Sequence, residues 1–224
     1  RVHDRELLDR FIREARTAGR LQHPNIVTIY DVGQQDGEPF IAMEYVPGKT
    51  LAETIARREP LSLVRRLELA EQLCDGLAFA HRHDIVHRDV KPANLMIHAH
   101  SGLLKILDFG SARVADSHMT QSGAVPGTPS YMSPEQITGL DVDHRTDIYA
   151  LGVTLYRIFT GTWPYRSGNI VEAHRRAPIP DPRQEIPQLS DAFAALIADT
   201  MAKAPEGRPE SAGEVAEALQ AAFA

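Results

Sequence analysis

The chain has 224 residues, which is enough to bury a substantial core in one domain or in two small ones. Its hydrophobic content of 43% is ordinary for a folded protein, and its net charge of −6 argues against a nucleic-acid-binding surface. The single cysteine, Cys74, excludes an internal disulfide and fits a reducing compartment, and no apolar run is long enough to cross a membrane.

The first part of the sequence predicts one helix followed by a hairpin. Residues 5–20 carry apolar side chains at the spacing of an amphipathic helix, and Gly19 lies at its end. Residues 26–32 and 40–46 are rich in β-branched and aromatic side chains, as expected for strands. Asp36-Gly37 between them is a typical hairpin turn, so the two strands should pair.

The rest of the chain is predicted to be mainly helical. Residues 62–83 repeat apolar side chains on one helical face, and two short strands are predicted at 94–97 and 103–107. Residues 108–135 contain Ser, Thr, Gly and Pro without periodicity, which predicts a loop whose length is typical of functional or disordered segments. Beyond residue 145 the pattern is helical to the end of the sequence.

Chemically active side chains are concentrated between residues 87 and 110. His87-Arg88-Asp89-Val90-Lys91-Pro92-Ala93-Asn94 places a carboxylate, a lysine and a carboxamide in one loop, and Asp108-Phe109-Gly110 adds a second carboxylate. Phosphoryl transfer needs a carboxylate to hold the attacking hydroxyl and oxygen ligands to bind Mg²⁺. It also needs a cation to meet the negative charge that builds up on the phosphoryl group during transfer. These side chains therefore predict phosphoryl transfer.

The same two segments resemble the catalytic and metal-binding loops of protein kinases. Other landmarks of that family follow in the same order. Ser133-Pro134-Glu135 stands where the family has Ala-Pro-Glu, Asp147 opens a segment similar to its large central helix, and Arg208 matches an arginine that pairs with the glutamate. The resemblance runs from about residue 6 to the C-terminus and is to eukaryotic-like bacterial Ser/Thr kinases.

The resemblance implies an α+β, bilobal protein-kinase-like fold with an incomplete small lobe and a mainly helical large lobe. Residues 1–46 would supply the family's αC helix, its last two small-lobe strands and the start of the hinge. Residues 47–224 would supply the catalytic loop, the activation segment and the C-terminal helices. No glycine-rich loop precedes Lys49, the first lysine of the sequence, so we expect an N-terminally truncated domain with little or no activity by itself.

The resemblance also assigns roles at the reaction centre. Asp89 would act as the catalytic base or orient the substrate hydroxyl, and Lys91 would meet the γ-phosphate. Asn94 and Asp108 would bind Mg²⁺, so ATP and Mg²⁺ are the expected cofactors. Without their neighbours, the same residues would be interpreted as ordinary turn-forming or solvated loop residues.

A second group of residues is expected around the nucleotide. Glu44 and Val46 would present hinge backbone groups to adenine, with Met43 as gatekeeper and Met96 as the apolar floor. Both methionines are equally well interpreted as core residues. Glu14 stands where the family has its αC glutamate, and its alternative interpretation is an exposed helix charge.

A third group is expected to regulate the enzyme or to dock the substrate. Arg88 would grip a phosphate on the activation loop, for which Thr120 and Ser122 are the best acceptors. Thr128 is expected at the peptide-docking floor beside Asp89.

The remaining landmarks are expected to be structural. Asp147 would anchor the backbone of the catalytic loop, and Arg208 would form a buried ion pair with Glu135. The two His-x-His pairs at 81/83 and 98/100 lack the further spaced ligands that a zinc site needs.

The sequence therefore predicts a signalling Ser/Thr protein kinase domain in the cytoplasm. A membrane anchor elsewhere in the full-length protein is compatible with this prediction. Its expected partners are protein substrates and a kinase dimer for trans-autophosphorylation, not nucleic acid. One alternative is a pseudokinase that acts as a binding or scaffold module. Another is a kinase-like small-molecule phosphotransferase, which is not expected to carry both Lys91-Pro92 and Ser133-Pro134-Glu135.

Overall fold

A computed structural model describes residues 12–35, 38–109 and 129–223. Over these ranges the protein is α+β, as predicted, with two small antiparallel sheets and a mainly helical remainder. The strands are β1 (Ile29–Gln35), β2 (Glu38–Met43), β3 (Gly48–Thr50), β4 (Leu95–His98) and β5 (Leu104–Ile106). The helices are α1 (described over residues 12–18), α2 (Leu51–Ala56), α3 (Leu63–His81), α4 (Pro134–Thr138), α5 (Arg145–Thr160), α6 (Ile170–Arg176), α7 (Asp191–Thr200) and α8 (Ala212–Phe223). None of the described helices is both long and apolar enough to cross a membrane.

The β1–β2 hairpin forms the first sheet. Strand β1 begins and ends three residues later than predicted, whereas β2 begins and ends two to three residues earlier. The first strand starts at Ile29 because Ile26 makes a single parallel bridge to Ile106, and the Val27 N–H donates to the Ile106 carbonyl at 3.0 Å. The second strand ends at Met43, so residues 44–47 form a connection outside the sheet. These bonds join the hairpin to the second sheet.

The second sheet has the order β3-β4-β5, and neither β3 nor the helix that follows it was predicted from the sequence. Thr50 caps α2 by accepting from the Glu53 N–H, while the Glu53 carboxylate accepts from the Thr50 N–H. This reciprocal pair is a capping box, and its Thr-x-x-Glu pattern was present in the sequence.

Helix α5 is the centre of the large helical part, because nearly all of its residues are buried. A helix that is apolar on every face belongs inside a core. It packs against α3 and α7, with Gly152 at the closest approach to α7. The same helix carries Asp147 in its first turn, fully buried.

The predicted loop over residues 108–135 ends earlier than expected, because α4 begins at Pro134. Ser133 caps this helix by accepting from the Gln136 N–H, and proline occupies the first helical position, where no N–H is needed. Gly139 ends the helix at φ 68°, a left-handed conformation that suits glycine. The α4 helix therefore starts next to loop 87–94, which it contacts through Gln136.

Gly152→Ala should destabilise the protein by about 1–3 kcal/mol, because an added Cβ would lie 2.8 Å from the Thr200 Cβ and 3.0 Å from the Met201 Cγ. The measurement is the urea midpoint of unfolding. Gly213→Ala in α8 is the matched control, since its Cβ would meet Ser211 at an ordinary 3.5 Å. Equal midpoints for the two variants would contradict close α5–α7 packing.

Candidate active site

The Asp147 carboxylate holds the backbone of loop 87–94. Its Oδ2 accepts from the His87 N–H at 2.8 Å and its Oδ1 accepts from the Arg88 N–H at 2.7 Å. His81, at the end of α3, adds a third bond to Oδ2 at 2.8 Å. Burial on its own raises the pKa of Asp147, but the bond and charge of His81 together with the bond from the His87 N–H outweigh it and lower the pKa. The carboxylate is therefore ionised at neutral pH.

The His87 side chain fixes the loop from the inside. It is fully buried, and its Nδ1 accepts from the Asp89 N–H at 3.2 Å. The other nitrogen, Nε2, therefore carries the proton and donates to the Leu107 carbonyl at 2.7 Å. The ring also packs against Phe109, with ring centroids 4.6 Å apart. His87 thus links the loop to the segment that follows β5.

The peptide groups on either side of Arg88 are held in a strained conformation. Arg88 has φ 67°, a left-handed value that costs about 1–2 kcal/mol for a residue with a Cβ. Asp147 accepts from its N–H, and the Gln136 side chain donates to its carbonyl at 2.8 Å. Strain of this kind persists only where surrounding contacts impose it, and it is frequent at functional sites.

Three of the predicted reaction-centre side chains converge in this loop. The Lys91 Nζ lies 2.7 Å from the Asp89 Oδ2, and the Asn94 Nδ2 donates to the same oxygen and to the Asp89 carbonyl, both at 2.9 Å. Asn94 is buried, whereas the Asp89 and Lys91 side chains are partly exposed. Asp89 is therefore oriented and reachable from solvent.

Asp108 is brought to this group by strand pairing. Strands β4 and β5 pair antiparallel, and the Leu107 N–H donates to the Asn94 carbonyl at 2.9 Å. Asp108 follows directly with φ 60°, a left-handed value that aspartate tolerates, and it is exposed. The strand pairing brings the backbone of Asp108 next to that of Asn94.

The donor atoms of this group suit Mg²⁺ that arrives with a nucleotide. Asn94 uses its Nδ2 on Asp89, so its Oδ1 lies on the other side of the carboxamide. This oxygen and the Asp108 carboxylate are hard ligands, and Mg²⁺ usually takes only one or two protein oxygens together with phosphates and water. Within the described ranges no cluster of three or more His, Cys, Asp or Glu could hold a metal alone.

The predicted nucleotide residues lie at the junction of the two sheets. The Glu44 carboxylate accepts from the Thr28 N–H at 3.1 Å and pairs with the Lys105 Nζ at 2.8 Å. Burial alone raises the pKa of Glu44, but the Lys105 and Thr28 bonds outweigh it and lower the pKa. Val46 is buried and Met96 is partly buried, whereas Met43 is 39% exposed at the end of β2. Glu14 is partly buried within α1.

Glu135 and Arg208 form a buried bidentate ion pair. The two guanidinium nitrogens lie 2.6 and 2.8 Å from the two carboxylate oxygens, and Thr146 donates to Oε1 at 2.7 Å. Arg208 also donates to the carbonyls of Ala202 and Arg145, so its charge is well satisfied. Burial alone raises the pKa of Glu135, but the bonds from Arg208 and Thr146 lower it.

Thr120, Ser122 and Thr128 lie outside the described residues, so their predicted roles remain predictions. The structure adds three contacts that the sequence analysis missed: His81 to Asp147, Gln136 to Arg88, and Lys105 to Glu44. The Ser133-x-x-Gln pattern predicts only the capping box of α4, not the contact of Gln136 with Arg88.

Comparison with known families matches residues 1–223 to the protein kinase domain. The chain is 40% identical over 98% of its length to the serine/threonine-protein kinase pkn3 of Myxococcus xanthus, of which it covers 43%. It is 42% identical over 92% of its length to PknB of Mycobacterium leprae, of which it covers 34%. It is 41% identical over 96% of its length to PknH of Mycobacterium tuberculosis, of which it covers 35%.

The chain therefore belongs to the protein kinase family, and these relatives are bacterial Ser/Thr kinases. This confirms the resemblance drawn from the loop motifs and the predicted fold class. The chain spans between 34% and 43% of the length of the three relatives.

Arg208→Ala should lower the free energy of unfolding by about 3–5 kcal/mol, because it leaves Glu135 buried without its cation. The measurement is urea unfolding at neutral pH. Arg176→Ala is the matched control, because the Arg176 side chain is 73% exposed and its pair with Glu172 should contribute at most about 1 kcal/mol.

The same pair sets a pH dependence. The pKa of Glu135 is lowered by folding, so its contribution is present above the unfolded value of 4.5 and is lost as the pH falls below it. The stability gap between the wild type and Arg208→Ala should therefore shrink in acid. A gap that widened there would contradict the ion pair as its cause.

Proposed function

We propose that the natural protein carrying this chain is a Ser/Thr protein kinase that transfers the γ-phosphoryl group of ATP to hydroxyl groups of protein substrates. The coarser conclusion, a protein kinase domain similar to bacterial Ser/Thr kinases, rests on the family match. The finer one rests on a single observation. Lys91 and Asn94 both contact the Asp89 carboxylate, within a loop whose backbone Asp147 holds.

In this proposal Asp89 receives the acceptor hydroxyl. A serine or threonine hydroxyl does not have to lose its proton before attack, so the main task of the carboxylate is to orient it. The bond from Asn94 and the nearby Lys91 hold the Asp89 carboxylate in one orientation. Lys91 lies close enough to Asp89 to meet negative charge on the group being transferred.

Asn94 and Asp108 hold the metal in this proposal. When bound, Mg²⁺ would neutralise charge on the phosphates and orient them. The chain contributes the Asn94 Oδ1 and the Asp108 carboxylate, from two residues whose backbones the β4–β5 pairing keeps adjacent. His87 and Phe109 pack behind Asp108 and fix the segment that carries it.

Nucleotide binding is proposed at the junction of the two sheets. Glu44 and Val46 offer backbone groups to adenine, with Met43 and Met96 on its apolar sides. The Glu44 side chain is already committed to Lys105 and Thr28, and its N–H donates to the Thr28 carbonyl at 2.8 Å, so its backbone carbonyl is the group proposed for this role. In the family, the residue at the Glu14 position acts on the phosphates through a lysine of the third small-lobe strand, and the first lysine of the 224-residue sequence is Lys49.

The proposal is tested with Asp89→Asn and Asp108→Asn in the natural protein, because the chain spans only 34–43% of the length of the three relatives. Asp89→Asn should reduce kcat by about 10²–10⁴-fold with little change in nucleotide affinity. Asp108→Asn should weaken Mg²⁺-dependent nucleotide binding. Phosphate transfer to a generic protein substrate and binding of a fluorescent nucleotide are measured side by side.

Asp84→Asn is the matched control, because Asp84 is an exposed aspartate that also has a positive φ, of 59°. It should leave both measurements unchanged. Full transfer by Asp89→Asn would contradict the proposal. A wild-type protein that binds nucleotide but transfers no phosphate would favour the pseudokinase alternative.

We also propose that phosphorylation of Thr120 or Ser122 activates the protein, with Arg88 as the receiving cation. Mass spectrometry of active protein should find at least one of the two residues phosphorylated, and the double alanine variant should lose activity. Active protein with neither site modified would contradict this.

A further inference from the structure

The cation of Arg157 has an unusual set of partners. Its guanidinium carbon lies 3.7 Å from the centre of the Trp163 ring, and its NH1 donates to the Tyr131 hydroxyl at 3.1 Å. Tyr131 and Trp163 also contact each other, with ring centroids 5.1 Å apart. We call Tyr131, Arg157 and Trp163 the aromatic–arginine cluster.

The charge of Arg157 is not matched by a carboxylate in the described part of the chain. The ion pairs found there join other arginines and lysines to Asp or Glu, and none includes Arg157. Burial raises the pKa of Tyr131 to about 12, so its hydroxyl is neutral and cannot balance the cation. The Nε of Arg157 is buried with no hydrogen-bond partner among the described residues.

The cluster is held rigidly from both sides. Arg157 lies in the last turn of α5, where Gly161 closes the helix by donating to the Arg157 carbonyl at 2.9 Å. Thr160 fixes the next turn, because its hydroxyl accepts from the Thr162 N–H at 3.2 Å and donates to the Tyr156 carbonyl at 2.7 Å. This turn positions Trp163, so little conformational entropy of the cluster side chains should be lost when a ligand binds.

The cluster is linked to the proposed acceptor site through helix α4. Tyr131 closes the short helix Pro129–Tyr131, two residues before Ser133. Ser133 caps α4, and Gln136 of α4 donates to the carbonyl of Arg88, the residue next to Asp89. An extended peptide advances about 3.3 Å per residue, so we expect residues that flank the acceptor to approach this surface.

We propose that Arg157 binds an acidic side chain of the acceptor segment and thereby makes the protein select serine or threonine residues with acidic neighbours. The proposal rests on the proposed kinase function for the identity of the ligand. A guanidinium stacked on an indole is weakly hydrated and presents a fixed planar fork, which suits a carboxylate. Arg157 and Trp163 are both partly exposed, so a bound peptide can reach them.

The first test measures binding without ATP, using the 224-residue chain. Trp163 is the only tryptophan, so its fluorescence reports directly on the cluster. The probes are a serine peptide with flanking glutamates and matched peptides with glutamine or lysine in their place. The glutamate peptide should change the emission saturably and bind roughly tenfold more tightly than the glutamine peptide, with a preference that falls as salt is added.

Variants at residue 157 separate a recognition role from a packing role. Arg157→Gln should remove the preference, and Arg157→Glu should shift it toward the lysine peptide. Arg157→Lys keeps the charge but not the fork, so it should bind the glutamate peptide several-fold more weakly and still prefer it to the glutamine peptide. Arg166→Gln is the matched control, because Arg166 is an exposed arginine that pairs with Glu185.

Equal affinity of the wild type for the glutamate and glutamine peptides would overturn the proposal. Unchanged affinity of Arg157→Lys for the glutamate peptide would also overturn the proposal. This test applies even if Arg157→Gln and Arg157→Glu do not fold. Since no phosphate is transferred in this assay, an inactive natural protein would contradict the kinase function and not the peptide preference.

Discussion

The buried Asp147 carboxylate is the contact on which the candidate site depends. It accepts hydrogen bonds from two consecutive backbone N–H groups, those of His87 and Arg88, and from the His81 ring. A charge without water around it is stable only if its lone pairs are satisfied, and here the loop supplies the donors. The loop and the charge therefore stabilise each other, and Asp147 attaches loop 87–94 to the buried helix α5.

Two further charged contacts extend this arrangement outward. The Glu135–Arg208 pair joins the start of α4 to the segment before α8, and Gln136 in the same α4 helix holds the Arg88 carbonyl. The Glu44–Lys105 pair joins the end of the hairpin to β5, two residues before Leu107 receives the His87 bond. Loop 87–94 is thus connected to both sheets and to the helical core through polar contacts of defined geometry.

The family resemblance carried by the motifs was sufficient to predict the fold class and the residues that meet in loop 87–94, and apolar periodicity predicted the main helices. Local patterns failed where tertiary contacts decide the outcome. Ile26 reads as a strand residue, yet it bridges to Ile106 instead of joining β1. His81, Gln136 and Lys105 reach partners 66, 48 and 61 residues away, and no short sequence pattern reports such pairs. The short helix α2 was not predicted, although the sequence contains the Thr50-x-x-Glu53 pattern of its capping box.

The left-handed backbone at Arg88 limits how this loop can be reused. A free peptide with the same eight residues would relax to an ordinary conformation, because nothing would compensate the steric conflict between the Arg88 Cβ and its neighbouring carbonyl. Transplanting the loop into another scaffold would therefore require a buried acid beneath it and an amide donor beside it. The transferable unit is the loop together with the first turns of α4 and α5.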